Sequence, residues 1–110
     1  MEINYANNKL QKELTDDKEL CKNYGTLAKK IKQRLTELAS AENLAVISPL
    51  RPQRCHELKG DKKGQLTVDI NENWRLFFIP DHNPIPTKDD GGLNWEEVTH
   101  ITIISVDDPH

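Results

Sequence analysis

The chain has 110 residues, 30% of them charged, with a mean hydropathy of -0.74 and a formal net charge of -3. That length suits one compact domain over residues 1–110 and excludes two, and the acidic balance excludes nucleic-acid binding by overall field. No run approaches the ~20 consecutive apolar residues that cross a bilayer. The opening MEINYANNKL has neither the basic nor the apolar region of a secretory signal, and Cys21 and Cys55 show no CxxC spacing. A cytoplasmic protein with two reduced thiols and no membrane contact is expected.

Glu2-Ile3-Asn4-Tyr5 alternates polar and apolar, as a short strand does. Asn7 or Asn8 can cap a helix carrying Leu10 and Leu14, and Asp16, with Glu19 three residues on, is a second start signal. Tyr24-Gly25 marks a break. Leu27, Ile31, Leu35 and Leu38 then form one apolar helical stripe, with Lys29, Lys30, Lys32, Gln33 and Glu37 mostly pointing away. The region reads as a helical hairpin of ~30 residues packed on an apolar surface.

Pro49 and Pro52 rule out a continuing helix, and strand signals follow. Leu66, Val68 and Ile70 alternate with Gln65, Thr67 and Asp69; Asn71-Glu72-Asn73 is turn-like; Trp74 to Ile79 resumes an extended run, completing a hairpin. Residues 80–96 hold three prolines and two adjacent glycines and read as a long loop, and Val98–Val106 is a β-branched strand. The order β, α, α, then three or four strands predicts an α+β fold, an N-terminal helical hairpin packed on a small antiparallel sheet.

Charge is segregated along the chain. Residues 51–63 carry Arg51, Arg54, Lys59, Lys62 and Lys63 against Glu57 and Asp61, while residues 81–97 carry five carboxylates against Lys88. Such a basic centre is either a phosphate site or a solvated surface. Arg51, Arg54, Lys62 and Lys63 are its candidate phosphate contacts.

His56, Lys59, Arg75 and His110 complement one another chemically. Phosphodiester cleavage needs one group to take a proton from the attacking hydroxyl, another to protonate the leaving oxygen, and fixed positive charge against the phosphate. Histidine serves the first two needs and lysine or arginine the third. Alternation puts Arg75 on one strand face with Phe77 and Ile79, opposite Trp74, Leu76 and Phe78. A salt bridge to Asp69 or Glu72 explains Arg75 equally well, His56 alone is an ordinary surface histidine, and His110 alone is a frayed terminus. His82 and His100 join the other two histidines without any HxxH or HExxH pattern, and Gly91-Gly92 stand outside any phosphate loop. No metal or cofactor is implied.

The run Arg54-Cys-His-Glu-Leu-Lys-Gly-Asp-Lys-Lys-Gly64, followed by Thr67-Val-Asp-Ile-Asn-Glu-Asn-Trp-Arg-Leu-Phe-Phe78, resembles the core of HigB-type toxins. These form the host-inhibition or plasmid-killer branch of the RelE/ParE superfamily, with an H-x-L-K-G motif, an N-W-R hairpin and a chain end near V-x-D-Y-H. Lys22–Gly25 through Ala41–Leu44 is similar to the family's second helix and its exit.

The resemblance implies a RelE-like fold and the toxin of a type II toxin–antitoxin pair. It implies a ribosome-dependent endoribonuclease (an mRNA interferase) that blocks translation through metal-independent 2′-hydroxyl attack. His56 and Lys59 fall on H-x-L-K, Arg75 on N-W-R and His110 on the terminal histidine, the histidines for proton transfer or phosphate contact and the cations for charge stabilisation. The implied partners are the ribosome and mRNA, and a helix-turn-helix (HigA-type) antitoxin through which alone operator DNA is contacted. Pro109 stands where the family usually has tyrosine, which removes a ring that could stack a base, and the 80–96 loop is longer and more acidic than usual. On the same fold the alternatives are a ParE-like DNA gyrase inhibitor and a degenerate toxin acting only as an antitoxin-bound autorepressor.

Overall fold

Alternation along β1 (Glu2–Tyr5) turns Ile3 and Tyr5 toward the core. The computed structural model describes residues 1–109. Asn7 Oδ1 accepts the Leu10 N–H at 2.8 Å and starts α1 (Asn8–Thr15), which buries Leu10 and Leu14. Asp16 is extended, so the helix stops there. Its carboxylate accepts the N–H groups of Lys18 and Glu19 and starts α2 (Asp17–Tyr24). Side-chain oxygens at both caps satisfy donors that a first helical turn leaves unpaired.

Gly25, at φ +53, reverses the chain in the left-handed region that glycine adopts without a Cβ clash. A single 3₁₀ turn (Gly25–Leu27) leads into α3 (Ala28–Ser40), whose inner stripe is Ala28, Ile31, Arg34, Leu35 and Leu38. The expected hairpin therefore has an arm of two short helices bent at Asp16 and a return helix. Leu27 belongs to the turn rather than to the helix.

Irregular chain then carries Leu44, Ile47 and Cys55 into the core before β2 (His56–Glu57), β3 (Leu66–Asp69), β4 (Arg75–Pro80) and β5 (His100–Asp107). The sheet order is β1-β5-β4-β3-β2. The purely antiparallel sheet expected from the sequence is corrected at one edge. β1 pairs parallel to β5, Ile3 beside Ile101 and Tyr5 beside Ile103. The intervening chain supplies the long crossover that a parallel pair requires, and β1 thereby covers the far flank of the β-branched last strand.

The helices cover one face of the sheet. Their leucines and Ile31 meet Leu66, Val68, Leu76, Phe78, Ile101, Ile103 and Val106 in one core. The alternation read for β4 holds, with Leu76 and Phe78 inward and Arg75 on the other side. An extra residue of β5 between the partners of Phe77 and Phe78 makes a bulge, and bulges increase local twist. The 80–96 segment is not shapeless. Thr87 bridges Leu93, and Trp95 donates from Nε1 to the Glu57 carboxylate at 3.1 Å, tying the loop to β2.

Phe78 is fully buried. Phe78→Ala should cost about 3–5 kcal/mol, a large share of the ~5–15 kcal/mol available to a small domain. Urea denaturation followed by far-UV circular dichroism checks this; an unchanged midpoint would place Phe78 outside the core.

Candidate functional site

Strand register arranges the face away from the helices in rows. His56, Thr67, Phe77 and Ser105 are successive cross-strand partners, and Asp69, Arg75 and Asp107 make the next row. A strand spacing of ~4.8 Å and a rise of ~3.4 Å per residue put the Cα atoms of His56 and Arg75 roughly 12 Å apart. Their side chains enter the same surface from two sides.

Asp69 is 8% exposed and organises that surface. Its carboxylate accepts from Arg54 Nε at 2.8 Å and Arg54 Nη2 at 3.2 Å. These bonds raise the already high Arg54 pKa against the lowering effect of burial. Arg75 Nε lies 3.3 Å from the same carboxylate, so the salt-bridge reading of Arg75 holds, with Asp69 as partner. The distance qualifies as an ion pair, yet Arg75 Nε has no aligned hydrogen bond among the described residues, so the contact is Coulombic. One carboxylate thus faces two guanidinium groups and leaves positive charge over.

A third arginine, absent from the sequence-based candidates, reaches the same point from behind. Arg34 is 5% exposed on the core side of α3. It donates from Nε to the Asp69 carbonyl at 2.7 Å and from Nη1 to Glu37 at 2.7 Å, while Gln53 Nε2 donates to the other Glu37 oxygen. The signal was available. Position 34 falls between Ile31 and Leu38 on the apolar stripe, and a charge there has to find partners inside.

An open groove of about 570 Å³ runs over this array. Lys30, Arg34, Arg51, Arg54 and Arg75 line it against Asp69 and Glu72, with Asn71 and Asn73 at its rim. The Asn71 side chain accepts the N–H groups of Asn73 and Trp74, which closes the β3–β4 turn. Excess guanidinium, with a planar fork suited to phosphate, in a concave polar site is the chemistry of a polyanion contact.

The candidates split between this groove and its flank. Arg51, Arg54 and Arg75 are in the groove. His56 stands in the adjoining row, its Nδ1 2.9 Å from the Arg54 carbonyl. A carbonyl can only accept, so Nδ1 carries the hydrogen and Nε2 is the basic nitrogen of the neutral ring. Lys62 places its ammonium 5.5 Å from the Phe77 ring centroid, a cation–π distance over the same face. Lys59 and Lys63 are exposed on the loop around the 3₁₀ turn Gly60–Lys62 and do not line the groove. His110 lies outside the described residues. Among those described, no cluster of three or more His, Cys, Asp or Glu side chains could hold a metal ion. His82 accepts the Thr99 and His100 N–H groups through Nε2, a structural role at the other end of the sheet.

No protein-family model matches the chain, and a search of curated proteins returns no significant match. The resemblance therefore stands on the sequence motifs.

Between Arg54 and His56, Cys55 is buried, and desolvation pushes its thiol pKa up to about 12. Cys21 is exposed. At pH ~7 the Cys55 thiol is protonated and inert while ordinary thiols with pKa ~8.5 still react. Ellman titration should count one fast thiol in the native chain and two in denaturant. Two fast thiols in the native chain would show that the segment beneath His56 is open.

Proposed function

We propose that this chain is the toxin of a type II toxin–antitoxin pair, a HigB-like endoribonuclease with a RelE-like fold that cuts messenger RNA on the ribosome. The observation that carries the reading is the arginine-lined groove around Asp69 and Arg75, with His56 in the neighbouring cross-strand row and its Nε2 without a partner among the described residues. The motifs carried by His56, Lys59 and Arg75 and the order of helices and strands support it.

In this reading RNA lies across the sheet face with its backbone in the groove. His56 Nε2 takes the proton of a ribose 2′-hydroxyl, whose oxygen attacks the adjacent phosphorus. The bond from phosphorus to the 5′-oxygen breaks, and that oxygen receives a proton from a second acid, the role left for His110. Arg75 and Arg54 oppose the charge that grows on the non-bridging oxygens. Lys59, Lys62 and Lys63 contact backbone phosphates outside the groove. The products are a 2′,3′-cyclic phosphate and a 5′-hydroxyl. The partners are the ribosome with its mRNA and a helix-turn-helix antitoxin that carries the complex to operator DNA, all in the cytoplasm.

Purified protein added to ribosomes carrying mRNA tests this. His56→Ala should lower the cleavage rate about 10²-fold or more, as loss of a general base does. Arg75→Ala should lower it by roughly 10²–10³-fold. Wild-type rates in both variants would remove the site, and 5′-phosphate ends would mean attack by water rather than by the 2′-hydroxyl.

A further inference from the structure

Arg54 has φ +46, the one non-glycine residue among those described with a positive φ. Side chains other than glycine avoid this region, so something must hold the residue there. The neighbouring backbone is pinned by the Arg54 N–H to the Leu50 carbonyl, Cys55 to Ser48, and Asp69 to Gln53. The Arg54 side chain itself is gripped by both oxygens of Asp69. Asp69 is in turn fixed from α3, because Arg34 Nε donates to its carbonyl. A left-handed residue turns its carbonyl away from the direction an extended one would take, and here that carbonyl faces His56 Nδ1.

We propose that Asp69 is a positioning residue for His56: by clamping Arg54 in the left-handed conformation it aims the Arg54 carbonyl at Nδ1 and selects the tautomer that leaves Nε2 basic. The functional meaning rests on the reading of His56 as proton acceptor. The geometric claim does not. A carboxylate in the middle of an RNA-binding face repels phosphate, and this role gives Asp69 a reason to be there. It acts two residues removed from the reacting atoms, through a backbone conformation, and touches no substrate.

The test reads the His56 ring nitrogens by ¹⁵N NMR in the full chain, at a pH high enough that their shifts no longer change with pH. Wild type should be dominated by the Nδ1–H form. In Asp69→Asn the ratio of Nδ1–H to Nε2–H should fall roughly fivefold, the value of one net hydrogen bond. Arg54→Ala, which loses the grip and disfavours positive φ, should do the same. Arg54→Gly, which accepts positive φ without the grip, should stay closer to wild type.

An unchanged ratio in both Asp69→Asn and Arg54→Ala would overturn the proposal. Should Asp69→Asn fail to fold, the alanine–glycine pair decides, and equal ratios in those two variants would also overturn it. No RNA enters the measurement, so this proposal and the ribonuclease reading can fail separately.

Discussion

A carboxylate withdrawn from water has to be met by charge or hydrogen bonds, and the polar half of this structure is arranged around one such group. Asp69 ends β3 nearly buried, with Arg54 and Arg75 on its carboxylate and Arg34 on its carbonyl. Removing one partner from a buried pair typically costs about 3–5 kcal/mol, because the remaining charge is stranded. That magnitude is comparable to much of the stability of a domain this size. The array joins α3, the irregular segment before β2, and the β3–β4 hairpin through polar contacts alone.

The same array has the wrong stoichiometry for neutrality. Five cationic side chains line the groove against two carboxylates, although the chain as a whole is acidic. The compensating negative charge follows Pro80, at the opposite end of β4 from Arg75. Five residue steps of extended strand span about 17 Å, well beyond a Debye length of ~8 Å at physiological salt. Asp81, where the acidic segment begins, is therefore screened from the groove. The net charge of the chain hides this local excess of positive charge, which the distribution of charge along the sequence shows.

Local chemistry was legible in the sequence wherever it was decided locally. Asn7 and Asp16 cap the helices where their side chains said they would, the Asn71–Asn73 turn closes, and the alternation around Arg75 and Phe78 holds. What escaped was decided by residues far apart in the chain. The parallel pairing of β1 with β5 joins the first and last strands, and no local pattern encodes the direction in which an edge strand docks. The two-residue β2 is too short to show a period. Lys30 looked like an outward-facing helical lysine and lines the groove because the 51–54 segment folds back against α3. Arg34 was the avoidable omission. The positive φ of Arg54 is a tertiary product of its grip on Asp69 and had no sequence signature, since arginine is an unusual residue to find there.

The proposed cleavage of mRNA is most directly tested inside cells. The direct measurement maps mRNA 5′ ends after induced expression of the wild-type chain and of His56→Ala. Breaks within translated codons that appear with wild type and vanish with the variant are the predicted result. Growth arrest with intact mRNA would contradict it and turn attention to another target, DNA gyrase first.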